Sequence, residues 1–482
     1  MSEGNFSRKG NSFNRQQSAK IRKSTDKNGS QSNPRWLLMG FGLSAIAVLS
    51  ATVGALLALS LSNTPLRQAR LTPAQEAVFN QEETVTFDSL QIPKLSRPVN
   101  ILVLGIKVTS DDLPQLRNPD LGYHALVNSF EGLSDSMLLL RFDPEKEYVT
   151  VLSIPRDTKT LVKGRGVTKI NDANLHGGPA LAAESVSNLL NNVPIDRYIR
   201  INVQGVEKFI DALGGINLYV PHNMKYTDHS QHLYIDLKEG QQHLDGGKAL
   251  QFLRFRYDAY GDIGRVQRQQ TFMRALIEQA LSPRTILKMP DILSVVRSNL
   301  DTNLTTNELI AIAGFTAQKD RSNINMVMLP GDFNTPEQGE LSYWLPNRDK
   351  ISEIMAQYFE IQQNYYNASH ISDPTTLKIA IQSNKDNQET GQKVVEYLRN
   401  NGYHRVFLSQ QFATEPLLKT KIVAQQGDNY SAAQIRADLG VGEVVVESTG
   451  VLKSDITIQV GQDWVIPEFN ERQDSSFKTI SY

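Results

Sequence analysis

Apolar residues fall into three regimes along this chain. Residues 36–61, WLLMGFGLSAIAVLSATVGALLALSL, are 26 positions without a charge. As a helix they would run about 39 Å against a bilayer core of about 30 Å, which predicts a membrane-spanning helix. From residue 98 onward, strand-like and helical patterns alternate. Strands are expected at 99–104, 136–142, 148–154, 215–220 and 233–237, and the nearly continuous run VNILVL at 99–104 predicts burial on both sheet faces. Helices are expected at 179–191, at 204–213 with Gly214 and Gly215 closing it, and at 264–281, where Val266, Met273, Leu276, Ile277 and Ala280 form one apolar stripe. A helix from 351 to about 358 precedes the third regime. There, 377–381, 388–400, 406–408, 421–424, 431–439, 443–446 and 456–460 read as strand, helix, strand, strand, helix, strand, strand.

This pattern predicts an α/β protein: an α+β sandwich-like main domain at 98–360, a transmembrane helix at 36–61 and a small second α/β domain at 375–465. Residues 1–35, 62–97, 361–374 and 466–482 are expected to be a disordered basic tail, two linkers and a C-terminal tail.

Charge divides the chain the same way. The total of 50 Lys and Arg against 51 Asp and Glu is nearly neutral, but residues 1–35 carry eight basic and two acidic side chains. Five basic residues precede the apolar segment within 20 positions and only Arg67 and Arg70 follow it. This asymmetry predicts an uncleaved single-pass anchor in the cytoplasmic membrane, with the N-terminus cytoplasmic and the bulk of the chain extracytoplasmic. ATP is not available there to drive group transfer. The absence of cysteine removes disulfides, zinc-thiolate sites and thiol nucleophiles.

The informative polar feature is a set of arginines at element ends. Arg156 follows a strand in SIPRDT, and Arg254, Arg256, Arg265 and Arg268 fall within 15 positions. Arg254 and Arg256 point to one side if 253–257 is extended and to nearly opposite faces if it is helical. Arg265, Arg268 and Gln269 are spaced i, i+3 and i+4 at the start of the long helix, hence on one face beside its N-terminal amides. Guanidinium forks bind phosphate oxygens bidentately, so convergence of these side chains suits a phosphate or diphosphate; surface pairing with Asp157, Asp258, Asp262 and Glu278 is the competing reading. Asp135, before a strand in SDSMLLL, suits either a Mg²⁺ ligand or a turn. The histidines at 222, 229, 232 and 243 form no ligand pattern, and no P-loop, GxGxxG or GxSxG stands in a strand-turn-helix setting.

The motifs NILVLG at 100–105, SDSMLLLRFDP at 134–144, VTVLSIPRDT at 149–158, KINDA at 169–173, DALGGI at 211–216 and GQQHLDGGKALQFLRFRYDAYGDIGRVQRQQ at 240–270 together resemble the LytR-CpsA-Psr family. MLPGDF at 328–333 and SYW at 342–344 fit the trailing part of that domain, and 375–465 resembles the LytR C-terminal domain. The resemblance implies a phosphotransferase that moves a glycopolymer from a polyprenyl-(pyro)phosphate carrier to peptidoglycan, forming a phosphodiester, usually with Mg²⁺. It implies that Arg156, Arg254, Arg256, Arg265 and Gln269 hold the diphosphate and that Asp135 positions the metal; Arg268 joins them from helix geometry. Arg156 and Asp135 are the expected catalytic pair.

Two positions depart from the family pattern. Lys107 stands where the family commonly has an Asp after the first strand, and Leu133 where it has an Arg. Asp111 or Asp112, in the long 107–132 loop, would replace the missing metal ligand, or Lys107 would supply positive charge instead. Two rival classes follow: a non-catalytic binder of lipid-linked glycan or peptidoglycan, which the loss at Lys107 favours, and a membrane-bound nucleic-acid regulator, which the charge asymmetry disfavours because it would need the arginines in the cytoplasm.

Overall fold

The structure is a computed structural model. It describes residues 66–465 apart from 67, 90, 108–129, 229–232, 256–260, 281, 283–284, 286–287, 317–322, 335–341, 362–373, 385–387, 411–416 and 452. The expected basic tail, the apolar segment at 36–61, and Arg256, Asp111 and Asp112 lie outside the described residues.

After the short helix α1 (Pro73–Glu76) and the hairpin β1 (Val85–Phe87) and β2 (Pro93–Leu95), the main sheet begins with β3 (Val99–Lys107), β4 (Leu133–Asp143) and β5 (Tyr148–Ile154). A second hairpin, β6 (Lys159–Val162) and β7 (Gly166–Lys169), leads into helix α2 (Asp172–Leu189), then strand β8 (Arg197–Asn202) and helix α3 (Val203–Leu213). Strands β9 (Ile216–Val220), β10 (Met224–Asp228), β11 (Leu233–Leu237) and β12 (Gly240–Leu244) form two small ribbons, followed by α4 (Gly246–Arg254) and the long α5 (Gly261–Ala280). Next come α6 (Met289–Asn299), β13 (Leu300–Thr302), α7 (Thr306–Thr316), β14 (Ile324–Met328), the hairpin β15 (Gly331–Phe333) and β16 (Trp344–Pro346), and α8 (Arg348–Phe359).

The six-stranded sheet has the order β13-β8-β3-β4-β5-β14, with β3–β8 and β5–β14 parallel and the other pairs antiparallel. Its strands β3 and β5 are largely apolar on both sides because both sides are covered. On β3, Leu102, Leu104 and Ile106 join a cluster that includes Ala182, Val186 and Leu189 of α2, whereas Val99 and Ile101 join one that includes Ala311 of α7. The period-2 geometry of a strand thus distributes one apolar run between two helical layers.

The C-terminal part adds β17 (Lys378–Gln382), α9 (Gln388–Asn400), β18 (Arg405–Leu408), β19 (Lys421–Ala424), α10 (Asn429–Leu439), β20 (Glu443–Val445) and β21 (Ile456–Gln459). Its sheet runs β18-β17-β21-β19-β20, all parallel except β19–β21. One buried cluster runs continuously from Leu139 and Ile154 through Leu329, Met355 and Phe359 to Ile379, Ile422 and Ile458. The two sheets are therefore packed together through a common apolar core.

The fold class is mixed α/β, and the sequence expectation needs one correction. A transmembrane helix was expected at 36–61, but among the described residues no helix is long and apolar enough to cross a membrane. The longest apolar elements here are buried strands and half-buried helices, whose apolar stripes are used up in packing against the sheet.

Candidate active site: a cleft at the ends of β4 and β5

The site begins where β5 stops. Pro155 cannot continue a ladder, and Thr158 donates from both its amide (3.0 Å) and its hydroxyl (2.6 Å) to the Pro155 carbonyl, closing a tight turn that presents Arg156 and Asp157 outward. The neighbouring strand supplies the counter-charge by an irregularity. Along β3–β4, Gly105 faces Ser136 but Ile106 faces Ser134, so Asp135 is the extra residue of a β-bulge. A bulge re-aims side chains, and here Asp135 and Ser136 both line the cleft. A Cβ on Gly105 would sit 3.1 Å from the Ser136 Cβ, so glycine keeps the bulge close to its partner strand.

The Arg156 Nη1 lies 2.8 Å from Asp135 Oδ1, and its Nε lies 3.4 Å from Asp157, which Lys169 of β7 also approaches at 2.7 Å. Burial works against the Arg156 charge, but Asp135 and Asp157 outweigh it and hold the guanidinium pKa above the ordinary arginine value. The Tyr343 ring stands under the Lys169 and Lys159 ammonium groups at 5.8 and 5.2 Å.

Arg156, Asp135 and Asp157 form the charged rim of a narrow cleft with an accessible volume of about 60 Å³. Gln269 and Gln270 of α5 complete the polar part, Gln270 donating to the Ser153 hydroxyl at 2.9 Å. Deeper, the walls are apolar: Met137, Leu138, Ile154, Met273, Met328 and Phe333. The cleft thus places a cation beside apolar walls.

Of the residues singled out in the sequence, Arg156, Asp135 and Gln269 lie together here. Arg254 is the last residue of α4, and the following Phe255 is extended, so the chain is helical up to Arg254 and turns away at once. Neither Arg254 nor Arg268 is among the cleft-lining residues. Arg268 is 4% exposed and donates to the Phe255 carbonyl at 2.6 Å; burial pulls its pKa down to about 10, so it stays charged at neutral pH at some cost. One helical step separates it from Gln269, about 100° of rotation, enough to turn one side chain into the core while the next meets the cleft. Arg265 lies within α5, and its side chain, like that of Lys107, is outside the described residues. Sequence reasoning assigned no role to Ser136, Ser153, Gln270, Met328 or Phe333. All five fall within the quoted motifs at 134–144, 149–158, 240–270 and 328–333, but nothing local says that 136 and 333 share a cavity.

Asp135 fits a Mg²⁺ ligand to a limited degree. Its carboxylate is about one-quarter exposed, and only Oδ1 is engaged by Arg156. Among the described residues no group of three or more acidic or histidine side chains comes together for a metal. A single carboxylate is nonetheless what Mg²⁺ uses when phosphate oxygens and water complete its shell.

Comparison with known proteins supplies the family. The LytR_cpsA_psr family model matches residues 68–360, and the model described as LytR cell envelope-related transcriptional attenuator matches 376–464. The polyisoprenyl-teichoic acid–peptidoglycan teichoic acid transferase TagU of Bacillus anthracis is 32% identical over 261 residues, spanning 53% of this chain and 76% of that protein. Its namesake from Oceanobacillus iheyensis is 31% identical over 274 residues, spanning 55% and 77%. Among solved structures, B. subtilis TagV aligns at a TM-score of 0.46 with 27% identity over 55% of this chain and 99% of that one. The chain thus belongs to the LytR-CpsA-Psr family and is a transferase with a LytR-type domain at its C-terminal end.

Proposed function

We propose that this transferase moves a glycopolymer from a polyprenyl-(pyro)phosphate carrier to peptidoglycan on the extracytoplasmic side, joining the two through a phosphodiester. The observation that carries the reading is one cleft with the Arg156–Asp135 pair at its rim and Met137, Ile154, Met273, Met328 and Phe333 within. A lipid-linked diphosphate has that same division into anionic head and hydrocarbon tail. The names of the curated relatives, teichoic acid transferases acting on peptidoglycan, support the same class of polymer and acceptor.

In this reading the prenyl chain occupies the apolar part and the diphosphate meets Arg156 and Gln269. An acceptor hydroxyl attacks the phosphorus next to the glycan, the bond to the carrier's phosphate breaks, and the hydroxyl proton leaves with the released polyprenyl phosphate. Arg156 neutralises the negative charge that builds on the departing phosphate, and a charge fixed in advance in a partly dry cleft is the strongest stabilisation such a site offers. Asp135 orients the guanidinium by its 2.8 Å contact. Mg²⁺ held by Asp135 together with phosphate oxygens would add further charge neutralisation. The energy comes from the phosphoanhydride of the donor, so no nucleotide is required.

The test is release of polyprenyl phosphate from a lipid-linked glycan donor incubated with the purified full chain, peptidoglycan oligomers and Mg²⁺. Release that Arg156→Ala abolishes supports the reading. Donor binding without any release by the unaltered protein would replace it with the non-catalytic binder.

A further inference from the structure

The C-terminal part carries a loop whose burial is unusual for a polar connector. Residues 446–450, VESTG, link β20 to the segment before β21, and all five are buried. Connecting loops ordinarily run over the surface because their polar groups need partners. Here the partners lie partly in the transferase domain. The Val446 carbonyl accepts from the Met326 amide of β14 at 2.8 Å, and the Gly450 carbonyl accepts from Gln267 Nε2 of α5 at 2.8 Å. Glu447, 6% exposed, stands 3.6 Å from Arg274 of α5 and accepts from the Thr449 hydroxyl at 3.1 Å. A side chain at Gly450 would run into Thr457, so the loop has no slack there.

The two elements this loop grips are two of those that line the cleft. Helix α5 presents Gln269, Gln270 and Met273 to the cavity, and Gln267 and Arg274 occupy the adjacent helical face. Strand β14 places Met328 in the cavity two residues after the amide that Val446 holds. β14 is the edge strand of its sheet, so the Val446 carbonyl takes up a ladder position that would otherwise face outward.

We propose that the 446–450 loop is a positioning device for the cleft, with Glu447 a positioning residue that acts through Arg274. The C-terminal domain thereby sets where the glutamine face of α5 stands relative to Arg156. Its consequence for turnover rests on the function proposed above; its consequence for the helix does not.

The experiment uses the full chain carrying Glu447→Gln, which keeps the shape and the Thr449 contact but removes the charge facing Arg274. Amide hydrogen exchange across 267–280 is expected to become at least about tenfold faster relative to exchange in β3 and β4, and carrier release to fall at least about fivefold in kcat with little change in KM for the donor. Glu447→Asp, which restores the charge, should recover part of both. Unchanged exchange overturns the brace, and faster exchange with unchanged turnover overturns its link to the cleft. Absence of carrier release from the unaltered chain would count against the proposed function alone, because the exchange arm still reads the brace. Gln267→Ala, which removes the bond to Gly450, provides the same two readouts if Glu447→Gln does not fold.

Discussion

The guanidinium of Arg156 meets Oδ1 of Asp135 at 2.8 Å, tying the turn after one strand to the bulge of its neighbour. The pair is more than one-fifth exposed on both sides, so its contribution to stability is small, about 1 kcal/mol or less. Its value lies in aiming a permanent cation into a cleft whose remaining walls are mostly neutral.

Arg156→Ala should therefore lower carrier release at least about tenfold, the equivalent of losing one charged hydrogen bond in the transition state. The thermal midpoint should move little. Transfer at the unaltered rate in a folded variant would remove Arg156 from the site.

Asp135→Asn keeps the bulge and one hydrogen bond to Arg156 but removes the charge that orients it and would hold a metal. Carrier release is expected to fall about tenfold or more, and what remains should respond less to chelation of Mg²⁺ than the unaltered protein does. Equal chelator sensitivity in the two would show that Asp135 does not carry the metal dependence.

Arg268→Ala should show the reverse order of effects. Its guanidinium is buried against the Phe255 carbonyl and the Phe255 ring, so truncation leaves a buried acceptor and a void. A loss of about 2 to 3 kcal/mol in urea unfolding is expected. A variant of unaltered stability that fails only in donor binding would return Arg268 to the diphosphate site.

Glu308 is expected to add to the acid sensitivity of the fold. Burial raises its pKa, but donation from Arg197, the Thr305 amide and the Thr84 hydroxyl outweighs burial and holds it below the ordinary carboxylate value. The unfolded chain therefore takes up this proton first as pH falls. The stabilisation is complete above the unfolded value of about 4.3 and is lost as pH drops through the folded one. Glu308→Gln should cost about 3 to 5 kcal/mol at pH 7 and flatten the decline of stability below about pH 4.5 in urea titrations. Parallel declines in both proteins would refute it.

Much of the fold was legible because its signals are local. The strand expected at 148–154 and the helix expected at 388–400 match Tyr148–Ile154 and Gln388–Asn400, since a strand buried on both faces and an amphipathic helix each announce their period over a few residues. Strand β8, Arg197–Asn202, was missed although it is an inner strand of the sheet, between β13 and β3. Its pattern RYIRIN puts an arginine on each strand face, and Arg197 and Arg200 are tolerated because Glu308 and Asp301 meet them from distant positions. In the candidate site, Arg156 and its turn were readable from SIPRDT. The side-chain neighbours Gln270, Met328 and Phe333 were not, because they come from three elements separated by up to about 180 positions from Arg156.

The sequence by itself determined the α/β class, the order of most elements and the family, because periodicity, turn residues and motif spacing are properties of short stretches of chain. Tertiary structure alone decided that Asp135 is the bulged residue facing Arg156, that Arg268 turns into the core while Gln269 meets the cleft, and that a buried loop of the C-terminal domain grips two walls of that cleft. Each of these depends on strand register, on helix rotation or on packing between segments far apart in sequence, and a difference of one residue in register or 100° in rotation reverses which side chain the cleft receives.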